Sequence, residues 1–134
     1  MKDNGLKVSE ELIEYCPHGG LIYEEVEKAL DKLLALNKKP DAVLSTTDKI
    51  TTNCLRYFKA KNITIPDDIA LIGFSNSELT ELLSPPLSIV RQPAFKMGEA
   101  ATNFLLELIE SKRPTTNFET KIMDTELIIR QSTR

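Results

Sequence analysis

Residues 69–74, IALIGF, form a short and wholly apolar run, with Pro66, Asp67 and Asp68 before it and Ser75, Asn76 and Ser77 after it. A run of that length between turn-forming residues reads as a strand buried on both faces. After it come a polar turn, an apolar patch at Leu79, Leu82 and Leu83, a Pro85-Pro86 pair, a second short strand over 87–90, and Pro93 opening a long helix. Ligands of an open parallel sheet bind in the crevice outside the carboxyl ends of its strands, which puts Ser75 and Asn76 where a ligand is read.

The rest of the chain supplies helices to cover such strands. Over residues 23–36, Val26, Ala29, Leu30, Leu33 and Leu34 recur at three- and four-residue spacing, with Glu24, Glu25, Glu27, Lys28, Asp31 and Lys32 between them. That spacing predicts an amphipathic helix packed on a sheet, and its acids gather early, where the helix dipole favours them. Residues 37–40 end it, and 42–45 read as the next strand. Asp48 suits the N-cap of a helix with Ile50, Cys54, Leu55 and Phe58 as its apolar stripe, and Asn62 suits the left-handed stop. The longest helix is expected over 94–111, with Met97, Ala101, Phe104, Leu105, Leu108 and Ile109 on one broad face and residues 111–114 as its stop. Residues 12–15, 118–123 and 126–129 read as further short strands, and 16–20 as a loop. Strands alternating with amphipathic helices and ending in a strand pair indicate an α/β fold with a mostly parallel sheet flanked by helices.

Composition narrows the function. With 134 residues, 41% hydrophobic and 28% charged, the chain is expected to be one globular unit. Its net charge of -3 offers no basic stripe to phosphates, so it is not expected to bind DNA by itself. The first residues hold no apolar run of signal-peptide length, and no later segment approaches the roughly 18 apolar residues of a membrane span. A cytoplasmic location and no membrane partner are the expectation. Cys16 and Cys54, with His18 as the one histidine, do not make a metal set, and neither metal nor cofactor is expected. No nucleophile turn or phosphate loop is present, and Gly73 alone is no dinucleotide fingerprint, so no catalytic residue is assigned and a small α/β enzyme is disfavoured.

The stretch IPDDIALIGFSNSELTELLSPPLSIVRQPAFKMGEAA closely resembles the effector-binding module of the LacI/GalR family of bacterial transcription regulators. KPDAVLSTTDKITTNCLRYFKAKNI upstream and TELIIRQST at the close resemble the same family, so the likeness covers residues 30–133. It implies a partial periplasmic-binding-protein-like fold of type I. Residues 1–92 would be an incomplete C-terminal lobe, 93–123 the returning helix and strand of the N-terminal lobe, and 124–134 the final strand. It also implies the effector-sensing and dimerisation part of a regulator. In this family a small molecule, often a sugar or nucleobase, shifts operator affinity, and the DNA is read by a headpiece that this chain does not contain. The alternative is a solute-binding receptor of the same fold, serving transport or sensing. In the family the helix at 94–111 belongs with the other lobe, so its apolar face is expected to lack a partner here. Association follows as an expectation, as a homodimer through the family's dimer surface or by exchange of the terminal helix and strands.

Site residues follow by the same resemblance. Thr47 stands where many members have Asn and Ser75 where many have Asp, both facing the effector, with Asn76 beside Ser75. Hydroxyls there donate and accept hydrogen bonds but lack the charge-assisted bonds of an aspartate; the other reading is that both only finish turns. Asp48 matches the family's Asp, yet capping explains it fully and is the preferred reading over ligand contact. His18 lies in a loop where the family sometimes places a ligand-stacking residue. Leu82, Leu83, Pro85 and Pro86, with Ile50, Thr52 and Leu55, resemble the dimer surface, although the leucines serve as well for core packing. Arg91 and Gln92 sit at the crossover between lobes, in a hinge role.

Overall fold

The computed structural model describes residues 4, 5, 7–111 and 119–134. Among them run α1 (Tyr23–Leu34), β1 (Ala42–Leu44), α2 (Asp48–Ala60), β2 (Ala70–Phe74), β3 (Ser88–Arg91), α3 (Ala94–Ser111) and β4 (Glu126–Ile128), with short 3-10 turns at Glu10–Leu12, Glu78–Glu81 and Gln131–Thr133. The sheet order is β1-β2-β3-β4; the first three strands are parallel and β4 closes antiparallel on β3. The expected α/β fold with a mostly parallel sheet is the fold found.

Cross-strand register sorts the side chains onto two faces. Val43 sits opposite Leu71, Gly73 opposite Ile89, and Ile89 opposite Ile128. These residues share one face because side chains alternate along a strand. On it α1 and α2 lay their apolar stripes: Val26, Leu30 and Leu33 meet Cys54, Tyr57 and Phe58 over Ile69, Leu71, Leu87 and Ile89 in one buried cluster. Glycine at 73 is what lets α2 come down so closely. A Cβ there would lie 2.6 Å from Thr51 Cγ2 and 3.1 Å from Leu87 Cδ2. The buried Thr51 hydroxyl donates to the Thr47 carbonyl at 2.7 Å and lies 2.8 Å from Ser45 Oγ, so no polar group under the helix is stranded. Tyr57 ties the two helices together, its hydroxyl donating to Asp31 Oδ1 at 2.5 Å. Burial, and then the Asp31 carboxylate that accepts its proton, push this phenol well above the ordinary tyrosine value.

The other face is different. Leu44 and Leu127 are 61% and 57% exposed, and Ile72, Phe74 and Val90 are half-buried. β2 is therefore buried on one face only, where the apolar run suggested both. α3 has the length expected of it, yet not one of its residues is buried, and Leu105 and Ile109 are 57% and 65% exposed.

Two expected strands do not form. Leu12 ends a 3-10 turn and residues 13–16 stay outside any sheet; 119–123 are likewise unpaired, while Phe118 lies outside the described residues. A strand exists only through a neighbour's backbone, and among the described residues neither segment pairs with one. Ser111 ends α3 as expected, and residues 112–114 of the expected stop lie outside the described residues. Asn62 takes the left-handed conformation, with φ of 55°.

Candidate functional site

Because β1, β2 and β3 run parallel, their carboxyl ends open on one edge of the sheet. Ser45, Thr46 and Thr47 follow β1, Ser75 and Asn76 follow β2, and Gln92 follows β3. β4 begins at this edge too, since Glu126 pairs with Arg91. The loop around Gly19 is fastened here as well. The Thr47 hydroxyl donates to the Gly19 carbonyl at 2.9 Å, and Asn53 Nδ2 donates to the Gly20 carbonyl at 2.8 Å. Gly20, at φ 88°, leaves no room for a side chain: a Cβ would lie 2.6 Å from Ile50 N.

Each assigned residue has a definite task in this frame. Thr47, and not Asp48, is the N-cap of α2, its Oγ1 accepting from Ile50 N at 3.1 Å. Both residue types cap well, and the turn settles one position earlier because Thr47 holds the extended conformation a cap needs. Asp48 is left exposed at the first turn. Ser75 is 3% exposed; its Oγ accepts from Ser77 N at 3.1 Å and so shapes the turn. The exposed Asn76 reaches across to the crossover, its Oδ1 accepting from Gln92 N at 2.8 Å. His18 is exposed, with Nδ1–H donating to Glu25 Oε1 at 2.6 Å and its backbone N–H donating to Oε2 at 3.2 Å. These hydrogen bonds hold the Glu25 carboxyl below the ordinary glutamate value. The mouth is thus lined by neutral donors and acceptors with two carboxylates near its rim, a surface suited to a hydroxyl- or amide-bearing molecule.

Away from that edge, Leu55, Leu83 and Pro85 come together with Phe58, Ile63 and Ile65 around a groove of about 510 Å³. Leu82 stands 76% exposed beside it, and Pro86 is half-buried. Thr52 is exposed on α2, its hydroxyl turned back to the Asp48 carbonyl at 2.9 Å. Ile50 lies elsewhere, under the Gly20 loop. Arg91 ends β3 with its guanidinium 3.9 Å from Glu126, and Gln92 carries the link to Asn76.

Sequence reasoning passed over one constellation. Ser132 Oγ donates to the Leu71 carbonyl at 2.7 Å and accepts from Ser88 N at 2.8 Å, and Ser88 Oγ accepts from Arg130 N at 2.7 Å. The Arg130 guanidinium donates to the Leu87 carbonyl at 2.8 Å and to Thr80 Oγ1 at 3.1 Å. This network staples the chain's last residues across β2 and β3. The signal was slight: a serine inside the apolar run at Leu87, and another after Ile129.

Comparison with known proteins follows the same line. The family described as periplasmic binding protein-like domain matches residues 2–133. The repressor CytR of Escherichia coli K12 is 34% identical over 121 residues, which are 90% of this chain and 35% of CytR. The probable repressor ExuR of Bacillus subtilis is 33% identical, also over 90% of this chain, and 36% of its own length is matched. The chain spans about a third of the length of these curated relatives. Among solved structures, a LacI-type regulator from Bacillus cereus superposes with a TM-score of 0.80 at 26% identity, covering 99% of this chain and 45% of that one. The regulator CelR in complex with cellobiose gives 0.77 at 28% identity, covering 98% and 38%.

Proposed function

We propose a function from one premise: the chain belongs to the periplasmic binding protein-like family, and the relatives it matches are LacI-type regulators. It is the effector-sensing and dimerising part of such a transcriptional regulator. A small molecule, of sugar or nucleobase class, enters at the edge where the three parallel strands end. The observation that carries this is the convergence there of His18, Thr47, Asp48 and Asn76 on a loop, a helix start and a turn that hydrogen bonds already hold in place.

In this reading Ser75 acts through the turn it closes, while Asn76 faces the ligand and ties that turn to Gln92. Arg91 and Gln92 carry the chain out of the lobe, so a ligand that favours one position of the turn favours one lobe closure, and operator affinity follows by differential binding to two states. Residues 93–123 belong with the second lobe, which the lack of any buried residue in α3 supports. Leu55, Leu82, Leu83, Pro85 and Pro86, with Thr52, form the dimer surface; Ile50 serves it indirectly by positioning α2. DNA is read by another part of the full-length protein. A transport or sensing receptor is not favoured, since the matched relatives are repressors.

The test uses the full-length regulator with an operator fragment and a panel of ribose, cellobiose, nucleosides and free nucleobases. One class is expected to change operator affinity, and Asn76→Ala to raise the effector concentration needed by about tenfold through a lost hydrogen bond. An effector response indifferent to Asn76→Ala and to Thr47→Val would remove this edge from the site.

A further inference from the structure

Between β2 and β3 the chain returns from the ligand edge to the opposite end of the sheet through residues 75–87, with the 3-10 turn at Glu78–Glu81 as its one regular piece. Of residues 76–84, Thr80 alone is buried, and Leu79 and Leu82 are both largely exposed. Apolar burial therefore does not hold this strap. Its pose rests on polar contacts, and they converge on Thr80.

Thr80 N and Oγ1 both donate to the Ser77 carbonyl, at 3.3 and 2.7 Å, and the Thr80 carbonyl accepts from Leu87 N at 2.8 Å. Those bonds stay within the strap. From outside it comes the Arg130 guanidinium, whose Nη1 donates to Thr80 Oγ1 at 3.1 Å and to the Leu87 carbonyl at 2.8 Å, while Nη2 lies 3.6 Å from Glu81 Oε2. Among the described residues, no other hydrogen bond reaches residues 78–84 from outside 75–87. Arg130 can hold the strap because it is itself held: its backbone N–H donates to Ser88 Oγ at 2.7 Å, and its carbonyl accepts from the same hydroxyl at 3.1 Å. Its side chain is 15% exposed. A planar guanidinium keeps its charge there and reaches a hydroxyl and a carbonyl together, which a lysine ammonium does not reproduce.

We propose that Arg130 is the positioning residue of the association surface: by fixing Thr80 and Leu87 it sets how residues 79–83 present Leu79, Leu82 and Leu83 to a second copy of this chain. The exposed Leu82 stands beside the apolar groove of about 510 Å³ lined by Leu55, Leu83 and Pro85. A projection and a recess thus share one face, as a self-complementary contact across a two-fold axis requires. The role in association rests on the dimer reading of that face, whereas the fixing of the strap stands on the bonds alone.

The test pairs sedimentation equilibrium of the 134-residue chain with amide exchange read by mass spectrometry at low protein concentration. Arg130→Met keeps a straight apolar stem and removes the donors. It should raise the dimer dissociation constant by about tenfold or more and quicken exchange of residues 79–87 about tenfold, with exchange in α2 unchanged. Thr80→Val cuts the same bond from the other side and gives the same reading should Arg130→Met fail to fold; Thr80→Ser, which keeps the hydroxyl, should associate like the parent. Combining Arg130→Met with Thr80→Val should weaken association little beyond either alone, because the two share one bond. Unchanged exchange over 79–87 in both variants would overturn the proposal. So would quickened exchange with undiminished association, or a loss of protection that extends through α2 and makes Arg130 a residue of the general fold. A parent that is monomeric at every concentration would overturn the association role together with the dimer reading, and it is told apart from the other failures because exchange over 79–87 still quickens.

Discussion

The two faces of the sheet hold the same kinds of side chain and have opposite fates. On one, Phe58, Leu71 and Ile89 are no more than 1% exposed beneath two helices; on the other, Leu44 and Leu127 are more than half exposed, and no residue of α3 is fully buried. Apolar composition is therefore no guide to which half of this molecule holds itself together. What separates them is partnership within the chain. α1 and α2 both pack back onto the sheet, while α3 leaves it at Pro93, and the described residues around its inner side are Phe74, Gln92, Lys121, Met123 and Thr125.

The contrast breaks most plainly under truncation. Phe58→Ala should lower unfolding free energy by about 3–5 kcal/mol, as the loss of a fully buried aromatic does. Leu105→Ala, at an exposed helical position where alanine is as good a helix former, should stay within about 0.5 kcal/mol in the monomeric chain. Urea unfolding of both variants at low protein concentration is the measurement. A cost at Leu105 approaching that at Phe58 would mean that α3 is covered in solution, and the two halves would no longer differ in kind. A Leu105 effect that appears only as concentration rises would sharpen the comparison instead, by making α3 part of an association surface.

A finer cut lies within the packed half, at Gly73. Gly73→Ala brings a methyl against Thr51 Cγ2 and Leu87 Cδ2, and overpacking of this kind costs about 1–3 kcal/mol. The expected signature in urea is a lower midpoint with the slope unchanged. Restoring room by Thr51→Ser should recover part of the loss, because the hydroxyl pair with Ser45 is kept while the clashing methyl is removed.

How far the sequence announced these features depends on the distance over which each is determined. The three helices were readable from spacing, and β2 and β3 from apolar runs between turn residues, because those signals are local. The strand expected at 12–15 was misread for lack of a neighbour, which no local pattern reports, and the same holds for 119–123. The cap moved from Asp48 to Thr47 by a single step of register. The least readable feature was the staple, since Ser132 finds its acceptor at Leu71, far away in the chain. Of the site, the edge was predictable from strand direction. That Ser75 would turn inward and Asn76 reach to Gln92 depends on side-chain geometry that no spacing encodes.

The smallest expected effect belongs to the His18–Glu25 latch at the mouth. Both carboxylate oxygens of Glu25 accept hydrogen bonds from His18, which lowers its folded pKa below the ordinary glutamate value. In the window between the folded and unfolded values, the unfolded chain binds more protons, so stability rises with pH there. The contribution is complete above about pH 4.3, the ordinary glutamate value, and is lost as pH falls through the folded value. Glu25→Gln should therefore be less stable than the parent at neutral pH by a margin that shrinks on acidification below that value. The Phe58→Ala margin, which involves no titrating group, should keep its size over the same range. Urea midpoints from pH 7 down to about 3 read both at once. A Glu25→Gln margin that stays flat across that range would show that the latch does not form, leaving the Gly19 loop held by Thr47 and Asn53 alone.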